Sequence, residues 1–312
     1  MAQTVAIIGE NGVGKTHLAL ALADKIESSG KSVIIVNFDV KTPASPYLVK
    51  DSTKYKTSLG YLLTKESVPT KNEIINALIP LSENIALLSF VYGDYYKKYP
   101  AFVEHRVTEL FDTLYDIADY IILDCQSNVK FVTTRKAISF SDKVIYVAEP
   151  GLKGLSFFDT FSRLTIDQNK FDKSKYTLVF NKTKYYHHLD IIASKMGYDS
   201  FYSLPYLDEI SKNEYALELF NPLIKIDYDT KLYKVQLYAL INSLFHIDIE
   251  EDEVFADNFA SQLEEEEKLQ NNQQESTQET QDKAVKNTKK RGFLSKLFNL
   301  KRRKNDNWRS CK

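Results

Sequence analysis

Cysteine is nearly absent: 312 residues contain two, Cys125 inside an apolar run and Cys311 beside the end of the chain. That usage excludes a disulfide framework, suits a reducing cytoplasm and leaves no cysteine cluster for a metal. Cys311 stands second from the end, whereas prenylation uses the fourth, so no anchor of that kind is expected. A positive leader with a small-residue cleavage site is also missing, and the first apolar run leads elsewhere, so no signal peptide is expected. No window approaches ~18 uninterrupted apolar residues, the length a membrane-crossing helix needs. No repeat of solenoid period occurs either.

What is present is an ordinary globular composition, 43% apolar and 27% charged, enough for one sizeable core or two modest ones. The net charge of −1 conceals an asymmetry. An acidic block runs from Asp248 to Glu267, while Lys283 to Lys312 holds twelve Lys/Arg against one acid, Asp306, or about +11. A segment so charged calls for an anionic partner.

Short Val/Ile/Leu-rich runs at 4–8, 33–38, 85–90, 120–124, 143–148 and 176–181 alternate with helix-patterned segments at 16–28, 104–117, 153–168, 211–220 and 230–246. Buried strands alternating with helices predict an α/β fold, a mostly parallel sheet covered by helices on both faces. The domain would occupy 1–247. An acidic, Gln-rich linker over 248–288 has too little apolar surface to order itself, a basic amphipathic helix spans 289–304, and 305–312 form a tail.

The first of these strands runs directly into Gly9, Glu10, Asn11, Gly12, Val13, Gly14, Lys15 and Thr16, with His17 opening an Ala/Leu-rich segment. The spacing G-x-x-x-x-G-K-T is a P-loop, in which glycines let backbone N–H groups curl around phosphate oxygens at a helix N-terminus. Lys15 would reach the β/γ-phosphates and Thr16 would offer its hydroxyl to Mg²⁺. The acidic partners such a loop needs belong at the ends of neighbouring strands, where Asp39 and Asp124 stand. Asp124 and Asp39 are expected, with Thr16, to hold the ion, and Asp39 to orient the attacking water beside it.

From residue 2 to roughly 220 the chain resembles the MinD/ParA family of P-loop ATPases. The P-loop, the strand ending in Asp39, Asp119 to Asp124, and Val147 to Leu155 carry the resemblance, with weaker support from Ser58 to Leu62. It implies ATP, an ATP-dependent homodimer, and an adenine contacted by Asn181 and flanked by Pro205. The chain departs from the family at three places. Glu10 replaces a signature lysine that crosses to the partner's phosphates, Asn37 replaces an aspartate, and Gln126, Ser127 and Asn128 replace a switch containing Pro and Gly. A guanine-specific site would need an acid after Asn181-Lys182-Thr183, but Lys184 stands there and has no acceptor, which favours ATP.

In the C-terminal segment Phe293, Leu294, Leu297, Phe298 and Leu300 would share one helix face, with Lys296 and the Lys301 to Lys304 run on the other. That pattern predicts attachment through 289–304 to an anionic membrane surface, and it resembles the membrane-targeting helix of the MinD branch. The chain is therefore expected to be cytoplasmic and peripheral on the inner face of the cell membrane, placing or recruiting another assembly through an unknown protein partner. Two alternatives stay open: a membrane-tethered scaffold with little hydrolysis, and a ParA-like partition ATPase whose basic end binds DNA.

Overall fold

The computed structural model describes residues 2–43, 45–49, 52–99, 101–166, 172–215, 228–245 and 247. The expected linker, amphipathic helix and tail lie outside the described residues. In chain order the elements are β1 (Gln3–Gly9), α1 (Lys15–Ser28), β2 (Val33–Asn37), α2 (Ser45–Leu48), α3 (Leu59–Thr64), α4 (Lys71–Ala77), β3 (Ile79–Pro80) and β4 (Ile85–Leu88). There follow α5 (Glu104–Leu114), β5 (Tyr120–Asp124), α6 (Val132–Phe140), β6 (Lys143–Ala148), α7 (Leu152–Ile166), β7 (Tyr176–Thr183), α8 (Leu189–Lys195), β8 (Tyr202–Pro205), α9 (Asp208–Tyr215) and α10 (Tyr228–Phe245).

Among the described residues the strands form one eight-stranded sheet in the order β3-β4-β2-β5-β1-β6-β7-β8. Every pairing is parallel except that of the short edge strand β3 with β4. The central strands are continuous apolar runs because both of their faces are covered. Alternate residues of β1 go to opposite cores: Val5 and Ile7 meet α1 and α10, whereas Ala6 and Ile8 share a core with residues of α3 to α8. The six apolar runs read from sequence are all strands, within a residue or two at most ends. The edge strands β3 and β8 were not read, since two and four residues are too short to show a period. The expected 104–117 helix ends at Leu114, and α9 begins earlier than the expected 211–220.

This topology decides where a ligand belongs. From β1 the chain crosses by α1 on one face towards β2, and from β5 it crosses by α6 on the other face to β6. The connections diverge where β1 and β5 lie side by side, and a crevice opens there beyond the C-terminal ends of the strands. No helix among the described residues is long and apolar enough to cross a membrane.

Candidate functional site

A cavity of about 610 Å³ occupies that crevice. Asn11, Gly12, Gly14, Lys15, Thr16 and His17 line it from the loop after β1, and Asp39, Lys41 and Thr42 from the loop after β2. Asp124 to Asn128 and Phe131 contribute from the β5 side, Asn181 and Lys182 from the end of β7, and Pro205 to Leu207 with Ile210 and Ser211 from beyond β8. The loop depends on its glycines. Gly12 and Gly14 have φ of 76° and 95°, a region a side chain disfavours, and a Cβ on Gly14 would collide with the Asn181 amide.

Lys15 lies back over its own loop. Its ammonium donates to the carbonyls of Gly9 (3.2 Å) and Glu10 (2.8 Å) and to Ser127 Oγ (2.9 Å). Burial is the main influence on this amine and lowers its pKa, opposed by attraction to Asp124. An anion in the cradle would supply what burial takes away.

Asp124 is 2% exposed at the tip of β5, and its Oδ2 accepts from Thr16 Oγ1 (2.6 Å) and Asn37 Nδ2 (2.7 Å). Burial raises its pKa, while the Thr16 hydroxyl and the Lys15 charge work against that rise. The Asn37 substitution thus has a physical role, because an amide can donate to Asp124 where a carboxylate could only repel it. A hydroxyl and a buried carboxylate already in contact form a hard oxygen donor set, which fits Mg²⁺.

The remaining expected residues divide by where their side chains go. Asp39 lines the cavity, but its Oδ1 accepts from Lys41 N (2.9 Å) and Thr42 N (3.1 Å) and its Oδ2 from Thr42 Oγ1 (2.8 Å), so both oxygens fasten their own turn. Asn181 and Pro205 also line it; the Asn181 amide donates to Val13 O (2.8 Å) and its Oδ1 accepts from Lys182 N (2.9 Å), tying β7 to the P-loop. Val13 and Glu10 send their side chains elsewhere. Val13 is fully buried in the core under α1, and Glu10, 3% exposed, reaches Lys153 on α7. His17 lines the cavity with Nδ1 buried and unpartnered, and burial pushes its imidazole down to about 4.

Sequence reading does not reach Lys41, Phe131, Leu207, Ile210 and Ser211, which also line the cavity. Lys182, at φ 57°, donates its ammonium to Gly12 O, 2.7 Å away. Lys41 lies four residues beyond the end of β2 and Tyr206 directly follows β8, positions at the C-terminal edge of the sheet where a ligand belongs.

A family model described as "AAA domain" (AAA_31) matches residues 2–173. None of the curated proteins matches the chain. Among solved structures, a ParA family ATPase from Chlorobium tepidum is 15% identical, with 76% of this chain and all of that one covered at a TM-score of 0.64. The Pyrococcus furiosus cell division ATPase MinD is 17% identical over 78% of this chain and all of its own, at 0.61. A putative plasmid partition protein of Borrelia burgdorferi, bound to AMPPNP, is 21% identical with the same coverage, at 0.59. These likenesses establish the fold.

Proposed function

The chain belongs to the AAA domain family AAA_31, and from that premise we propose that it is a MinD- or ParA-like ATPase that binds ATP with Mg²⁺ and attaches reversibly to a membrane. The observation that carries the first half is the meeting of Lys15, Thr16 and Asp124 in one cavity beneath a glycine loop. Lys15 and the loop amides would hold the β- and γ-phosphates, and Thr16 with Asp124 would hold Mg²⁺. When bound, the ion neutralises charge on the terminal phosphates. The base would lie towards Asn181, Lys182, Pro205 and Tyr206.

Hydrolysis on this reading is slow until a partner acts. Asp39, the candidate for orienting water, holds its own turn by three hydrogen bonds. Gln126 is buried with Oε1 unpartnered, an acceptor available to a new donor. The engaged Asp39 also favours the second reading, a nucleotide-binding scaffold with little turnover.

Membrane attachment rests on the amphipathic, basic pattern of 289–304. One such helix binds weakly, and two brought together by an ATP-dependent homodimer bind far better. The output would be the placing or recruitment of another assembly.

Sedimentation with anionic liposomes tests this, comparing the full chain with one ending at Thr288 in ATP or ADP. Binding that needs both ATP and the tail is expected. Tail-dependent binding indifferent to nucleotide reduces the switch to a tether, and a salt-sensitive association with DNA instead of lipid supports partition.

A further inference from the structure

We infer that Lys41 reads the terminal phosphate, so that its ammonium is the cation that lets this site distinguish a nucleoside triphosphate from a diphosphate; this rests on the nucleotide reading above. Three cavity-lining lysines offer charge, Lys15, Lys41 and Lys182. Two are occupied by the P-loop: Lys15 donates to Gly9 O and Glu10 O, and Lys182 to Gly12 O. Lys41 differs. Its ammonium makes no hydrogen bond or ion pair among the described residues and lies over the Phe131 ring, 5.7 Å from the centroid. Contact with a ring face at an exposed site holds a cation only weakly.

The backbone around Lys41 is, by contrast, fixed. Asp39 accepts from the N–H groups of Lys41 and Thr42 and from the Thr42 hydroxyl, so the turn that presents Lys41 is held by one carboxylate. That is a use for Asp39 in the present arrangement. Lys41 and Phe131 belong to the loops after β2 and β5, whose strands pair Asn37 with Asp124. Ser127 lies on the second of these loops and touches the Lys15 ammonium. Lys41 therefore stands on the side of the cavity that holds Asp124 and Ser127, away from Asn181 and Pro205. A β-phosphate is served by Lys15 and the loop amides, whereas a γ-phosphate adds negative charge on the side where an unengaged ammonium waits. Glu10 does not line the cavity, and its buried carboxylate is turned onto Lys153.

The test is equilibrium binding of AMPPNP and of ADP, each with Mg²⁺, to the full chain and to Lys41→Gln and Lys41→Arg. Loss of one phosphate contact is expected to weaken AMPPNP about tenfold or more in Lys41→Gln. ADP affinity should stay within about twofold, which also shows that the variant is folded, and Lys41→Arg should recover most of the loss. Equal weakening of both ligands, or of neither, overturns the assignment. Failure of the wild-type chain to bind either nucleotide overturns the nucleotide reading itself.

Discussion

Glu10 turns its carboxylate away from the cavity and onto Lys153, with Oε2 3.3 Å from Nζ. A glutamate inside a P-loop would oppose a triphosphate if it faced the phosphates, and this pairing removes the conflict. The carboxylate is buried with no hydrogen bond, so the exposed Lys153 ammonium is its compensation. Lys153→Ala should therefore destabilise the fold by about 1–2 kcal/mol, less than a fully buried pair because Lys153 is largely solvated. The double variant Glu10→Gln with Lys153→Ala should recover much of that in urea unfolding. Additive losses would show that the two side chains do not interact.

His17 gives the protein a pH dependence. Its imidazole titrates near 4 in the folded state against 6.5 ordinarily, because burial disfavours the charged form. Between those values the unfolded chain holds a proton that the folded chain does not, so stability falls as pH drops from 6.5 towards 4, by up to about 3 kcal/mol. His17→Gln should flatten that part of the profile. Unfolding midpoints of both proteins across the window measure it, and parallel profiles would refute it.

Burial raises the pKa of Asp124, and Asn37, donating to it at 2.7 Å, works against that rise. Asn37→Asp would set two carboxylates at that distance and should lower the melting temperature at neutral pH without divalent ions. Mg²⁺ should restore part of the loss. Thermal unfolding with and without Mg²⁺ decides it, and a variant indifferent to the ion would show that Asp124 is not part of an ion site.

Much of this was legible in the chain. The central strands were readable because each is an uninterrupted apolar run, a pattern that burial on both faces imposes. The P-loop was readable because its spacing is fixed by phosphate geometry. Asp124 was readable because it ends such a run. Side-chain direction was not: nothing local reveals that Glu10 pairs with a residue 143 positions later, or that Asp39 bonds its own turn. Lys41 and Phe131 escaped because their meeting depends on β2 and β5 being neighbours, a non-local fact.

Gly14 sits at φ 95° with the Asn181 amide pressed against it. Gly14→Ala should lose nucleotide binding by well over tenfold, through both backbone strain and displacement of Asn181 from Val13 O. Unchanged affinity for AMPPNP would mean that the loop is not the phosphate cradle.

The most direct measurement is titration of the full chain with a fluorescent ATP analogue, with Mg²⁺ or EDTA, alongside Lys15→Ala and Asp124→Asn. Saturable binding that is strengthened by Mg²⁺, displaced by ATP and ADP but not by GTP, abolished in Lys15→Ala and made indifferent to Mg²⁺ in Asp124→Asn is expected. Binding by wild type that survives Lys15→Ala, or no binding at all, would contradict the assignment of this cavity to a magnesium-bound adenine nucleotide.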